Sequence, residues 1–515
     1  MRSLLFVLFL IICSCGGASI APPLGNQGGG GGGGGGGAPG GGLPGGGGSG
    51  GGAGGAPVLF TDNAIDLGRP GAFPSDLVIA EGGTLYTVDD AMIPATVLSF
   101  PGGMRVPITP NDLVDMDGTN PSRAATTFGS GLFGAFTGDI EVAFDRWLIV
   151  TVGAGNSISN DGKAPLRLAN LVVIDTSTAR VLQTVNLAWT LQRGGTLNSG
   201  TPYQATPQSL PVMTAFVPNP NGTKTGTLFV AMSNGAGTTA GLTQFMQGTV
   251  QQWRADFTVG LPITAETAGR AASDATRTHL SDHHNPVALT AYRAASSVDY
   301  LILTMAGASL FDANFTVQPT TDAFLEFYDL DLGLWRDGLA VNLGPILPAA
   351  HRMAIGADRA GRTFGLLGSQ TFAAAYVVDL SGLDENPANP ARLGLLRSVD
   401  LVAGGAATAG SGYSPSAGLT KSGRTAILSG FFPAALTVLA LPDDIAAGQI
   451  IVNPAPFAGA DLVSEEGLGL GALALPRVVA NGIEAYVVVN GNFDANFFPS
   501  RHGFLGTLVT AGRLP

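Results

Sequence analysis

The sequence predicts an all-β protein, a seven-bladed β-propeller that follows a disordered Gly-rich linker. Three observations predict it. Short runs rich in Val, Ile and aromatic residues alternate with Gly, Asn and Pro turns, which is typical of strands and hairpins. These runs recur as a unit at a nearly constant spacing, and the start of the folded region reads as an isolated outer strand. A repeated β-unit cannot bury both faces alone, so the units are expected to stack and close into a ring.

The second strand of each unit gives the clearest alignment. It is a nearly continuous apolar run, as expected of a strand that is buried on both faces. Successive copies are about 67 residues apart, compared with about 40–45 residues in common blades, so we expect the excess in loops. The aligned residues of the seven copies are Tyr86, Ile149, Phe229, Ile302, Phe364, Ile427 and Tyr486.

Three of the third strands end in aspartate, at Asp175, Asp329 and Asp379. Aspartate at a strand end favours a turn, because its carboxylate accepts hydrogen bonds from nearby backbone amides. Outer strands are predicted to follow these turns at 181–187, 339–343 and 397–401.

The last unit stops after its third strand, at 503–510. Residues 59–67 have the pattern of a fourth strand but precede the first unit. We expect residues 59–67 to pair into the last blade and to close the ring. Such a closure removes an exposed sheet edge that would otherwise favour aggregation. The predicted propeller domain spans residues 57–515.

The N-terminus has the organisation of an export signal. A basic start is followed at 4–12 by an apolar run that is too short to cross a bilayer. The next residues resemble a bacterial lipobox, with Ile12 and Ser14 at the two specificity positions before Cys15. This predicts a lipoprotein signal peptide over 1–14 and lipidation of Cys15. An ordinary secretory signal with incidental cysteines is the alternative.

Residues 15–56 then form a tether that is dominated by glycine. Such a segment has nothing to bury and is expected to be a flexible coil with a reach of roughly 35 Å. The prediction is therefore a propeller in the bacterial cell envelope, lipid-anchored and either periplasmic or at the cell surface. The membrane is its partner through the anchor.

Composition excludes several kinds of site. The formal net charge is −12, so the chain is expected to repel phosphate backbones and nucleic acid is not a predicted partner. The two cysteines, Cys13 and Cys15, both lie in the signal region, which leaves the body without a disulfide, a thiolate metal site or a cysteine nucleophile.

The candidate binding residues collect on one face of the predicted ring. All five histidines precede a first or a third strand, and the pentapeptide Phe-Asp-Ala-Asn-Phe occurs after the second strand of both the fourth and the seventh unit. Its Asp and Asn oxygens either bind a polar ligand or cap a turn. The candidates for a ligand-binding face are His283, His284, His351, Asp312, Asn314, Asp494, Asn496 and His502.

No cofactor is predicted. Asp115, Asp117 and Asn120 form a weak candidate Ca²⁺ loop, but the position of the final glutamate of an EF-hand is occupied by Thr126. The histidine-rich stretch 278–285 is expected to be a polar loop rather than a metal site, because adjacent side chains diverge in an extended chain.

Residues 170–187 (NLVVIDTSTARVLQTVNL) resemble the repeat of the YVTN family of β-propellers, and 300–305 and 485–490 resemble its second strand more weakly. The family includes surface proteins, lactonase-like enzymes and lipoproteins. The long loops and central opening of the predicted face, without a convincing acid–base or nucleophile set, instead predict binding of an unknown protein or small molecule without catalysis, and no catalytic residue is assigned. The alternative is a lactonase-like hydrolase at the channel mouth, which needs His283 or His284, His351 and a carboxylate to converge.

Overall fold

The computed structural model describes most of the predicted propeller region and none of residues 1–59, which include the predicted signal peptide, Cys15 and the tether. The described residues are 60–66, 74–89, 95–100, 102–114, 136–157, 166–187, 189–190, 195–196, 202–203, 207–208, 210–233, 235–237, 243–245, 247–265, 278–284, 286–307, 309–311, 317–319, 321–346, 348, 351–369, 374–385, 391–402, 416–420, 423–430, 435–455, 470–474, 484–489 and 504–510.

The strands are numbered in chain order and grouped into sheets I to VII, with four two-stranded ribbons between them. The first strand is β1 (Phe60–Asp66). Sheet I holds β2 (Pro74–Ile79), β3 (Leu85–Asp89), β4 (Ala95–Phe100) and β5 (Arg105–Ile108). Sheet II holds β6 (Phe136–Ala143), β7 (Trp147–Ser157), β8 (Leu166–Asp175) and β9 (Arg180–Asn186). Two ribbons follow, made of β10 (Trp189–Thr190) with β13 (Pro207–Gln208) and β11 (Gly195–Thr196) with β12 (Pro202–Tyr203).

Sheets III and IV have five strands each and enclose a further ribbon apiece. Sheet III holds β14 (Leu210–Pro218), β15 (Thr225–Ser233), β18 (Gln247–Asp256), β19 (Ile263–Ala265) and β20 (Thr278–His284), with the ribbon β16 (Gly235–Gly237) and β17 (Thr243–Phe245). Sheet IV holds β21 (Pro286–Arg293), β22 (Asp299–Met305), β25 (Ala323–Asp329), β26 (Leu334–Trp335) and β27 (Val341–Gly344), with the ribbon β23 (Ser309–Phe311) and β24 (Val317–Pro319).

The last three sheets have four strands each. Sheet V holds β28 (Ala354–Ala357), β29 (Thr363–Gly368), β30 (Ala374–Asp379) and β31 (Gly394–Asp400). Sheet VI holds β32 (Ser416–Leu419), β33 (Thr425–Gly430), β34 (Ala435–Ala440) and β35 (Ile451–Ala455). Sheet VII holds β36 (Leu470–Ala474), β37 (Glu484–Val489), β38 (Phe504–Thr510) and β1. The described helices are α1 (Ser381–Glu385) and the 3-10 turns Pro110–Asp112 and Asp337–Leu339.

Each sheet is an antiparallel meander in which the first strand is innermost. Inner strands of neighbouring sheets contact each other: β2 lies against β6 and β36, β14 against β6 and β21, and β32 against β28 and β36. In sheet VII the outer position is taken by β1, which pairs with β38 from Phe60 opposite Thr510 to Asp66 opposite Phe504. Successive meandering sheets around one axis are the architecture of a β-propeller.

The core is divided into apolar clusters between neighbouring sheets. Val88 of sheet I packs with Ile140, Leu148 and Val150 of sheet II, and all four side chains are fully buried. Comparable clusters fill the spaces between sheets II and III, III and IV, IV and V, and V and VI. This explains the nearly continuous apolar second strands, because each of them faces a neighbouring sheet on either side.

The two ends of the sheets form two different faces of the propeller. At the end named here the turn face, first strands turn into second strands and third strands turn into fourth strands. The opposite end, the loop face, carries the connections to the next sheet. Strand β25 shows the polarity: Ala323 at its start pairs with Gly344 on the loop face, and Asp329 at its end pairs with Leu334 on the turn face.

The turn chemistry predicted for the aspartates is confirmed. Each carboxylate accepts a hydrogen bond from the backbone amide two residues later, at 3.0–3.1 Å. Each also holds an arginine from the same sheet. The pairs are Arg146–Asp175, Arg336–Asp329 and Arg362–Asp379.

Two predictions about the outer strands are wrong. Residues 278–284 form strand β20 on the outer edge of β18 instead of a polar loop, because backbone pairing with β18 satisfies their amides and carbonyls. The outer strand predicted at 339–343 begins only at Val341, because Leu339 closes a 3-10 turn by donating its amide to the Arg336 carbonyl. Within the described part of the chain, no helix has the length and apolar character needed to cross a membrane.

Candidate functional site

A cavity of about 410 Å³ lies on the propeller axis, among the inner strands of sheets I, II, III, V and VI. Its polar lining comes from residues in the first half of these strands or just before them, which places it towards the loop-face end. Towards the turn face the walls are apolar, with Ile79, Ile355 and Leu419. The polar residues of the lining are Asp76, Asp139, His351, Arg352 and Ser416.

Side chains at the starts of the inner strands join each sheet to the next. The Asp76 carboxylate of sheet I accepts a hydrogen bond from the Ile140 amide of sheet II at 3.1 Å. Asp139, one residue earlier in sheet II, accepts from both the amide and the hydroxyl of Thr214 in sheet III, at 2.8 and 2.6 Å. Because Asp76 and Asp139 occupy matching positions in their sheets, one contact is repeated around the axis.

The series continues with neutral side chains. The Met213 sulfur of sheet III accepts from the Leu289 amide of sheet IV at 3.2 Å. The Thr290 hydroxyl of sheet IV accepts from the Met353 amide of sheet V at 2.9 Å. These contacts hold the inner strands in register and thereby fix the shape of the cavity.

Arg352 reaches across the axis from sheet V to sheets II and III. Its Nη2 atom donates to Glu141 at 2.5 Å, to Asp139 at 3.2 Å and to the Thr214 carbonyl at 3.1 Å. Asp139 is almost fully buried, whereas the side chain of Arg352 keeps 34% of its surface exposed. One guanidinium therefore serves a buried carboxylate and still presents part of its surface to the cavity.

The carboxylates outnumber the cation, and burial shifts their protonation. Burial raises the pKa of Glu141 to about 7, which the neighbouring Arg352 only partly opposes. Burial together with repulsion from Asp139 raises the pKa of Asp76 well above its usual range. Burial alone would lower the pKa of Arg352, but Asp139, Glu141 and Asp76 raise it, so the guanidinium stays charged. The cluster therefore holds protons near neutral pH that a bound cation would displace.

His351 precedes Arg352 and lines the same cavity. Burial lowers its pKa to about 4, with Arg352 acting in the same direction and Asp139 opposing, so the imidazole is neutral at pH 7. As a whole residue His351 is only half-buried, but its Nε2 atom is shielded from solvent and has no hydrogen-bond partner among the described residues.

His283 lies elsewhere, at the junction of sheets III and IV. Its backbone amide and its Nδ1 atom both contact one oxygen of Glu326, and its ring stacks on Phe324 with the centroids 3.7 Å apart. The other oxygen of Glu326 is buried and without a hydrogen-bond partner in the described structure. His283 is not a lining residue of the axial cavity.

The remaining sequence candidates fall into two groups. His284 ends strand β20, and only its backbone is described. The others lie outside the described residues: Asp115, Asp117, Asn120, Asp312, Asn314, Asp494, Asn496, His502 and Cys15. Among the residues that the structure does describe, no three His, Asp, Glu or Cys side chains are arranged to hold a metal ion.

The hydrolase alternative requires His283 or His284 to meet His351 and a carboxylate. His351 lies close enough to Asp139 for the carboxylate to oppose the fall in its pKa, but His283 is held at Glu326. Four polar residues of this cluster were not predicted from the sequence: Asp76, Asp139, Glu141 and Arg352. A signal was present, because Asp76 and Asp139 each directly precede the apolar run of a first strand.

The fold and the axial cavity define the chain as a β-propeller protein. No protein-family model matches it, and no curated protein is similar to it. Among solved structures it is similar to the Dos1 propeller, with 12% identity, a TM-score of 0.42 and coverage of 86% of this chain and 79% of that one. The Cps50 (Swd1) β-propeller domain of Myceliophteria thermophila has 10% identity, a TM-score of 0.43 and coverage of 88% and 100%.

A virginiamycin B lyase from Staphylococcus aureus is also similar, with 8% identity, a TM-score of 0.34 and coverage of 87% of this chain and 99% of the lyase. Likenesses this distant carry no information about activity. The propeller assignment rests on the sheets and on their contacts around the axis.

Proposed function

We propose that this protein is a lipid-anchored envelope lipoprotein whose propeller binds a small polar ligand, or a polar group of a protein partner, in the axial cavity without catalysis. The observation that carries the proposal is the cavity itself. Its volume of about 410 Å³ lies in the range of small-molecule sites, and apolar walls surround a few convergent polar groups, as in such sites generally.

A binding role is favoured over catalysis by what the polar groups already do. The Asp76 and Asp139 carboxylates accept backbone amides of the next sheet, and Asp139 also holds Arg352. Groups that fix the fold in this way offer a rigid, preformed surface to a ligand. The exposed part of the Arg352 guanidinium is the group best placed to contact it.

The wider proposal has three further parts. The seven sheets are the full set of blades, closed by β1. Residues 1–14 are the signal peptide, Cys15 carries the lipid, and 15–56 is a disordered tether that holds the propeller in the periplasm or at the cell surface. Membership of the YVTN family is proposed on the resemblance of 170–187, with the weaker matches at 300–305 and 485–490.

The binding proposal is tested by screening the chain from residue 15 onward, with Cys15 replaced by serine, against amino acids, sugars, nucleosides and short peptides by native mass spectrometry. The affinity of each ligand is then measured for Arg352→Lys, which keeps the positive charge beside Asp139 but loses the planar guanidinium. We expect the affinity of an axial ligand to fall about tenfold, which corresponds to about 1.4 kcal/mol.

The matched control is Arg359→Lys, an exposed arginine that pairs with Asp443 on the turn face. This variant should bind within about twofold of the unmodified chain. Ligands whose affinity is the same in both variants would contradict binding in the axial cavity.

A further inference from the structure

The large exposed apolar side chains of the described residues all lie at one end of the propeller. Phe144 lies in a first-to-second turn, whereas Val259, Leu261 and Leu332 lie in third-to-fourth turns. The other four are within the first three residues of an outer strand. All eight are therefore on the turn face, opposite the polar mouth of the cavity: Phe144, Leu182, Val259, Leu261, Leu332, Leu334, Leu395 and Ile451.

The most exposed of these are turn residues that pack little within the propeller. Leu332 and Leu261 keep 63% and 61% of their surface exposed. Single exposed apolar residues are common on proteins, but eight large ones at the same end of the described sheets offer a surface to an apolar partner. We call these eight residues the apolar rim.

Phe144 of the apolar rim packs on other aromatic rings, and basic side chains lie next to these rings. Phe144 adopts a φ of 50°, a conformation that is costly for a bulky residue, and it packs edge-on against Trp147 and Phe257. Arg146 and Lys224 lie over the Trp147 ring, at 4.9 and 5.2 Å from its centroid. Aromatic rings next to basic side chains are typical of protein surfaces at the membrane–water interface.

The chain enters the propeller on the same face. Strand β1 is the outer strand of sheet VII, and its first residue Phe60 pairs with Thr510, the last residue of the third strand β38. The ends of third strands lie on the turn face, as Asp329 does in sheet IV. The segment that leads back to Cys15 therefore leaves the propeller beside the apolar rim.

We propose that the turn face docks on the lipid bilayer in which the Cys15 anchor is inserted, with the apolar rim at the headgroup level and the axial cavity directed away from the membrane. This rests on the lipid anchor of the proposed function. The tether, with its reach of roughly 35 Å, is short enough to keep the face close to the bilayer and long enough to leave it free to dock.

The test places an environment-sensitive NBD dye on single cysteines of the lipidated chain, in vesicles of phosphatidylethanolamine and phosphatidylglycerol at 3:1. Val259→Cys and Leu332→Cys report on the rim. Pro345→Cys reports on the loop face, where Pro345 is exposed and directly follows Gly344. Leu332 and Pro345 flank opposite ends of β25, so they lie roughly 20 Å apart along one strand. We expect a blue shift and a rise in intensity at 259 and 332 on binding to vesicles, and neither at 345.

A second arm separates docking from lipidation. The Cys15→Ser chain is held on the same vesicles by an N-terminal histidine tag at residue 15 and a nickel-chelating lipid, so it reaches the bilayer without a natural anchor. If the chain with Cys15 does not bind vesicles but the tagged chain does, the lipoprotein proposal is wrong. The NBD labels on the tagged chain then still show which face of the propeller meets the bilayer. The docking proposal is overturned if the NBD emission of the vesicle-bound chain does not shift at 259 and 332, or if it shifts equally at 345.

Discussion

Replacing Arg352 with alanine should lower the free energy of unfolding by about 3 kcal/mol. The Arg352 guanidinium forms an ion pair with the buried Asp139, and removing it leaves that carboxylate without a charge partner. Breaking a buried ion pair on one side costs about 3–5 kcal/mol, and the lower figure is appropriate because Arg352 is one-third exposed. Denaturant unfolding followed by circular dichroism measures the change.

Two variants make this result specific. Arg359→Ala breaks a pair in which both side chains are more than half exposed, so it should cost less than about 1 kcal/mol. Adding Asp139→Asn to Arg352→Ala should recover part of the loss, because the amide oxygen still accepts from Thr214 and position 139 no longer carries a buried charge. If Arg352→Ala and Arg359→Ala lower the free energy of unfolding equally, the ion pair between Arg352 and Asp139 across the axis does not stabilise the propeller.

Replacing Glu141 with glutamine should change how stability depends on pH. The pKa of Glu141 rises from its usual value near 4.5 to about 7, so between these values the folded chain binds a proton that the unfolded chain has released. Stability contributed by this group therefore falls as the pH rises through that window. The rise corresponds to up to about 3 kcal/mol.

His351 acts in the opposite direction. Its pKa falls from 6.5 to about 4, so its contribution is fully present above 6.5 and is lost as the pH falls towards 4. The pH ranges over which Glu141 and His351 change stability overlap. The free energy of unfolding of the unmodified chain therefore reports their contributions together. The difference between Glu141→Gln and the unmodified chain isolates Glu141, and it should favour the variant by up to about 3 kcal/mol more at pH 8 than at pH 4.

The measurement is denaturant unfolding at several pH values between 4 and 8. Glu385→Gln is the control, because Glu385 is an exposed glutamate that pairs with Arg392. Its difference from the unmodified chain should stay constant within about 1 kcal/mol. A Glu141→Gln difference that does not depend on pH would show that folding leaves the pKa of Glu141 at its usual value, which would contradict the effect of burial.

The strands could be predicted because the pattern is repeated. Each second-strand residue used for the alignment, from Tyr86 to Tyr486, lies in the second strand of its sheet. The described side chains of these strands in sheets I to VI are largely buried, so packing selects β-branched and aromatic residues there. Outer strands carry a weaker pattern because one side meets solvent. The predicted start at Leu339 is wrong because a 3-10 turn that this residue closes precedes the strand, and the apolar pattern does not distinguish the two.

The candidate site could be predicted only in part. The repeat places Asp76 and Asp139 at the starts of inner strands, which meet at the axis, so charged residues at that position are a usable signal. The histidine pattern points to His351 but also to His283, which is held at Glu326 away from the cavity. The reach of Arg352 to Asp139, 213 residues away, depends on the width of the ring and leaves no local signal.

Hydrogen–deuterium exchange of the chain with and without the tightest ligand of the screen tests the central claim most directly. If the ligand binds on the axis, amide exchange should slow in the cavity segments 76–79, 351–355 and 416–419 and around Asp139 and Met213, whereas the turn-face segments 143–147 and 256–263 should be unchanged. Slowing at the turn face, or none in the cavity segments at a saturating ligand concentration, would contradict a binding site on the propeller axis.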